Sequence, residues 1–228
     1  MPPVYRVRRR WILGAVATAG LTAALPALAQ TDAAKKSPMS ASERLMRDNA
    51  LTSRVLLLYA AAERRLGQGE DLESGIFLQS AEVMRDFVHG YHEKVEEEDI
   101  FPVFKKAGRM VALVTTFQDQ HAAGRQLTDK ILAAAPGIAN ADQRKALTDA
   151  LHATVTLYGP SLARENTDLL PTLRSLLTPT EFDALAQTLE KGEAEKLGAD
   201  GFEKAAKKIE AIEKKLGTHD LSQFAPKT

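Results

Sequence analysis

No cysteine occurs in the 228-residue chain. That absence excludes disulfides, thiolate metal sites and a cysteine nucleophile. Any bound metal must be held through nitrogen and oxygen, a donor set that suits iron, manganese or zinc at a His/carboxylate site. Aromatic residues are scarce, at 6%, and the chain draws on Ala, Leu, Glu and Lys, which favours helix over sheet. No segment alternates with a strand period. Positive charge is not in excess: the formal net charge is zero, with no basic footprint for nucleic acid. Walker, GxSxG and dinucleotide glycine patterns are also missing.

The N-terminus reads as an export signal over residues 1–29. Arg6 to Arg10 form a basic region, Trp11 to Leu25 an apolar run, and Ala27-Leu28-Ala29 a small-x-small cleavage pattern. The apolar run is too short and too rich in Ala and Gly for stable membrane insertion. Arg8-Arg9-Arg10-Trp11-Ile12 also fits a twin-arginine signal, against the alternative of an ordinary secretory one. Removing this segment removes four arginines and no acid, so the remainder is mildly acidic. The expected location is periplasmic or secreted, in a bacterium.

A flexible linker is expected over 30–41, followed by helices. The first runs from Ser42 to Leu66 before Gly67 and Gly69. The second starts after Glu73-Ser74 and closes near Phe101-Pro102, where proline cannot extend it. The third spans Val111 to Ala134. The fourth begins near Ala141, is kinked by Gly159-Pro160 and resumes from Ser161 to Leu177. Thr178-Pro179-Thr180-Glu181 is a capping box for a fifth helix to Leu197, and a Lys-rich helix follows from Asp200-Gly201 to Leu216, with an extended tail from Gly217. The expectation is an all-α four-helix bundle over 42–177 with a C-terminal helical extension over 178–228.

The chemistry gathers around His92-x-x-x-Glu96, an imidazole and a carboxylate one helical turn apart on one face. Such a pair alone is a weak signal, since solvated helix faces carry it by chance. His121 sits mid-helix with Phe117 and Gly124 near it on the same face, which points it inward, as a core residue or a ligand. Glu165 stands six residues before Pro171, as Glu96 does before Pro102, a weak internal repeat. His89 projects about 20° from Glu96 and about 60° from His92, so it faces inward or sits on the surface near the bundle end. Glu97, Glu98 and Asp99 read as a solvated acidic helix end.

These segments resemble the hemerythrin-like (HHE cation-binding) domains. His92-Glu93-Lys94-Val95-Glu96-Glu97-Glu98-Asp99-Ile100-Phe101-Pro102 is similar to the family's second-helix signature. Gln120-His121-Ala122-Ala123-Gly124-Arg125 resembles its third-helix histidine motif. Tyr158-Gly159-Pro160-Ser161-Leu162-Ala163-Arg164-Glu165-Asn166-Thr167 resembles its fourth, and Leu45-Met46-Arg47-Asp48-Asn49-Ala50-Leu51 its first. The resemblance implies an up-down four-helix bundle and, with the pattern H…HxxxE…H…HxxxE, two iron ions bridged by the carboxylates. This sequence departs from the pattern twice, with Asn49 and Ser161 in place of the first- and fourth-helix histidines. The ligand set carried over is therefore His92, Glu96, His121 and Glu165.

Two readings follow. In one, an ion (iron, with manganese or zinc as alternatives) sits in a two-His, two-carboxylate site with open positions for O2 or another small ligand. Tyr158, Asp48 and His89 then serve as supporting groups or substitute ligands. That protein handles or senses metal, oxygen or reactive oxygen, a binding role more than an enzymatic one, although an oxidase or peroxidase is permitted. In the other, the centre has been lost and a metal-free interaction module keeps only a buried hydrogen-bonded network.

Overall fold

The computed structural model describes residues 39–225. The expected signal over 1–29 and most of the expected linker lie outside those residues. Helix α1 (Ala41–Gly67) is opened by a capping box in which Ser40 Oγ accepts from the Glu43 amide while the Glu43 carboxylate accepts from the Ser40 amide. Helix α2 covers residues 74–107, α3 Val111–Ala134 and α4 residues 141–176. Asn140 caps α4 by accepting from the amides of Asp142 and Gln143. The extension contains α5 (Pro179–Leu197) and α6 (Gly201–Leu216). No strand occurs among the described residues, and none of their helices is long and apolar enough to cross a membrane.

Helix α2 does not close at Pro102 as expected but runs on to Ala107, where Gly108 stops it with φ 62°. Proline in an α-helix lacks its N–H and crowds the carbonyl four residues back. Here the chain widens into an i→i+5 turn over Glu96–Ile100, with the Phe101 N–H bonded to the Glu96 carbonyl, and Pro102 falls in the first turn of the α segment beyond. Helix α4 repeats the device. Pro160 lies within unbroken α-helix, Ala141–Arg164, and the departure comes instead at Glu165–Leu169, where the Leu170 N–H bonds the Glu165 carbonyl just before Pro171. The sequence repeat of a glutamate six residues before a proline is thus two matching wide turns, each beginning at the glutamate. A further wide segment covers Met84–His92. Such turns are frequent at functional sites. The tail also differs from expectation: Gly217 caps α6 at φ 71°, and Leu221–Phe224 forms a 3-10 turn whose Ser222 amide is held by Asp220.

The core explains both helix direction and the placement of the polar residues. One apolar cluster includes Leu51, Tyr91, Ile131 and Leu162; a second includes Leu45, Ile100, Phe117 and Leu169. Along α1 the chain passes from the second cluster to the first, along α2 from the first to the second, and so on alternately through α3 and α4. The four helices therefore run up and down, as their short connections require. On each helix the change of cluster falls at buried polar residues: Asp48 and Asn49, then His92 and Glu96, then His121, then Glu165. The bundle core is two apolar halves with a polar layer between them. The extension packs against both, Leu189 in the second cluster and Ile209 and Ile212 in the first.

Candidate metal centre

In the polar layer, His92, Glu96 and Glu165 offer ligand atoms that all lie within 4.8 Å of one another. The Glu96 carboxylate stands between two imidazoles, 3.8 Å from His92 Nε2 and 3.4 Å from His121 Nε2. Glu96 is only 1% exposed and Glu165 4%. Both oxygens of Glu96, both ring nitrogens of His92 and Oε2 of Glu165 have no hydrogen-bond partner. His92, Glu96 and Glu165, with His121, border a cavity of about 10 Å³ that Thr52, Val88, Leu162, Glu93 and Tyr158 also line, room for about one water-sized centre. Buried polar atoms without partners are rare and costly. Four of them, His92 Nε2, both oxygens of Glu96 and Glu165 Oε2, converge on one small cavity and fit a bound cation.

Electrostatics agree. Burial opposes protonation of His92, yet Glu96, Asp48 and Glu165 hold its imidazole up at about 9. His121 is likewise held at about 9 against burial, by Glu96, Glu93 and Glu165. Burial, then the charge of Glu96, push the Glu165 carboxyl up to about 8, against the pull of His92 and His121. A cation binding at these atoms would compete with protons for them.

A second group, Glu93, Glu97 and His121, also has metal-like spacing, but its atoms are already engaged. Glu93, 1% exposed, accepts from Tyr158 Oη at 2.7 Å and Arg125 Nη1 at 3.0 Å, and lies 3.0 Å from His89 Nδ1. Glu97 accepts from the same Arg125 nitrogen and pairs with His121 Nδ1, both at 3.1 Å. Burial alone would raise Glu93, but His89, His121 and Tyr158 hold it below its ordinary value. The Arg125 guanidinium places a positive charge between Glu93 and Glu97.

The structure brings His92, Glu96, His121 and Glu165 together. Asp48 Oδ2 lies 3.7 Å from His92 Nδ1, on the far side of the ring from Glu96. His89 is buried, not at the surface; its Nε2 meets Thr128 Oγ1 at 2.8 Å and its other nitrogen serves Glu93, so it does not join the cavity. Asn49 gives its amide N–H to Asn166 and keeps a buried, unpartnered Oδ1. Ser161 Oγ donates to Gln120 Oε1 and the Leu157 carbonyl and does not line the cavity. Glu97 is half-buried and part of the polar layer, which corrects its reading as a solvated helix end. Glu93 and Arg125 were not anticipated. Glu93 had a signal, since His89-x-x-x-Glu93 is a second imidazole–carboxylate pair overlapping the first.

Tyr158 reaches Glu93 because α3 has no side chain at Gly124. A Cβ there would lie 1.9 Å from Tyr158 Oη and 2.7 Å from its Cζ. Gly124→Ala is therefore expected to displace Tyr158 and destabilise the protein by about 1–3 kcal/mol, as overpacking does. Denaturant unfolding checks it: with Tyr158→Phe already present the cost should stay, because the ring still collides, whereas Tyr158→Ala should remove most of it.

The uncharacterized protein Rv1995 of Mycobacterium tuberculosis is 37% identical over 191 residues, covering 83% of this chain and 75% of that protein. The uncharacterized protein Mb2018 of Mycobacterium bovis is similar to the same degree over the same shares. No solved structure matches. Residues 40–173 match the Hemerythrin HHE cation binding domain. That span takes in the polar layer on all four bundle helices, and the chain belongs to the hemerythrin HHE cation-binding family.

Proposed function

We propose that the protein binds a single non-heme metal ion, iron by preference, through His92, Glu96, His121 and Glu165. The observation that carries this reading is the set of unpartnered imidazole and carboxylate atoms around the ion-sized cavity. Asp48 faces the remaining nitrogen of His92, the arrangement that orients a metal-binding imidazole. Arg125 supports one ion instead of two, because its charge already sits between Glu93 and Glu97. An iron ion there would supply a one-electron couple and open coordination positions for O2 or another small ligand. The role we propose is handling or sensing of metal, oxygen or reactive oxygen, and the Arg-rich N-terminal segment supports placing it outside the bacterial cytoplasm.

Metal analysis of protein purified from its natural compartment tests the proposal. About one equivalent of iron is expected, falling sharply in His121→Ala. Less than about a tenth of an equivalent of any transition metal would return the chain to a metal-free interaction module, and close to two equivalents would refute the single-ion reading. Peroxide turnover is expected to be absent; turnover that disappears in Glu165→Ala would make the protein an enzyme.

A further inference from the structure

The family match ends at residue 173, yet a line of charges leads from the polar layer into the extension beyond it. Glu193 on α5 is buried, and its Oε2 accepts from Arg47 Nη2 and Arg44 Nη1, each at 2.7 Å. Arg47 turns the same fork onto Asp48 Oδ1, with Nε at 3.0 Å and Nη2 at 2.8 Å. The other oxygen of Asp48 is the one 3.7 Å from His92 Nδ1. The Arg47 guanidinium is also stacked on the Phe202 ring of α6, 4.0 Å from its centroid. Two helices of the extension thus clamp the arginine that positions Asp48, and Asp48 faces a cavity imidazole.

We propose that Glu193 is a positioning residue for the metal centre: through Arg47 and Asp48 it sets the orientation and charge environment of His92, so the extension takes part in holding the ion. The inference rests on the single-ion reading above. Carboxylates behind metal-binding histidines fix the ring and strengthen it as a ligand. Arg47 now divides its charge between Glu193 and Asp48. When Glu193 is neutral, Arg47 draws on Asp48 alone, and Asp48 holds His92 less firmly.

The test uses the full chain loaded with Co(II), with affinity measured by chelator competition and ligand field by visible absorption. Glu193→Gln is expected to weaken Co(II) about fivefold to tenfold and to shift the visible bands, somewhat less than the 10–100-fold typical of a group directly behind a ligand. Asp48→Asn should weaken binding at least as much, and the double variant should be no weaker than Asp48→Asn, because both act through one imidazole. Arg47→Lys keeps the charge but loses the fork that fixes Asp48 and should likewise move the visible bands, which covers the case in which Glu193→Gln does not fold; bands unmoved in a folded Arg47→Lys would overturn the inference. Arg54→Ala removes the two-pronged Arg54–Glu213 pair between α1 and α6 and should leave affinity and spectrum unchanged. Unchanged Co(II) binding in Glu193→Gln, a Glu193→Gln loss that persists in full on top of Asp48→Asn, or an equal loss in Arg54→Ala would each overturn the inference while sparing the metal reading. A wild-type chain that binds no Co(II) would overturn both.

Discussion

Glu96→Gln is expected to abolish metal binding and, in the metal-free protein, to flatten the dependence of stability on pH. Glu96 is the carboxylate both cavity imidazoles share, so its loss should exceed the 10–100-fold that an outer partner costs. The pH effect follows from proton linkage. His92 and His121 rise from an ordinary 6.5 to about 9 in the fold. Their stabilising protons are fully present below 6.5 and are lost as the pH climbs through about 9. Glu165, raised from 4.5 to about 8, acts in the same direction, because the unfolded chain ionises it first. The metal-free wild type should therefore melt progressively lower from about pH 6.5 to 9, and added metal should reverse the trend, since fewer protons compete for its ligands. Without the Glu96 charge, burial pulls both imidazoles down and the slope should shrink. Melting curves with and without metal decide it; a Glu96→Gln variant with the wild-type slope would show that another group sustains the protonated imidazoles.

Arg125→Ala should cost about 3 kcal/mol, toward the lower end of what breaking a buried ion pair costs. The pair is only partly buried, because the arginine is a third exposed while Glu93 is not, and His89 and Tyr158 still hold Glu93 after the change. A buried carboxylate that has lost its charge partner then remains beside Glu97 and His121, already at metal-like spacing. Added Zn(II) is expected to recover much of the loss and to bind with a stoichiometry one ion higher than in wild type. Chemical denaturation with and without Zn(II) checks both parts. A destabilised variant that Zn(II) does not rescue would mean that Arg125 acts through packing of its stem and not through charge.

Much of the fold was legible because it rests on local chemistry. The Thr178-Pro179-Thr180-Glu181 box, the break before Val111 and the end of α3 at Ala134 all follow from caps and breakers within a few residues. The cavity residues were legible as a resemblance carried by His92, Glu96, His121 and Glu165. What escaped depends on which neighbour a helix face meets. Glu97 is about 100° around α2 from Glu96, and nothing along the chain says that α3 lies on that side with His121 and Arg125. Glu93 was passed over because Arg125, which makes its burial tolerable, is 32 residues away. Pro102 misled for a different reason: proline forbids a normal α turn but not the wider one that precedes it.

Those wide turns set the phase of the second helix. At about 100° per residue, a wheel drawn straight through α2 puts Met84, Phe87, Val88 and Tyr91 on one side. It puts Ile100 and Phe104 about 160–200° away from Met84, toward solvent, yet all are buried. Each wide turn takes in one residue more than an α turn, and two of them restore the later apolar side chains to the core. The cavity residues of α2 lie in the interval where this correction is made, so the helix turns its imidazole and carboxylates inward while changing from one apolar cluster to the other. The length of the stretch between Tyr91 and Pro102 is therefore as much a part of the centre as its residue types. A one-residue deletion there would either erase a wide turn, setting Pro102 against an α-helical carbonyl, or keep it and rotate one half of the helix by about 100° against the other; both outcomes disturb the cavity without removing any of its side chains.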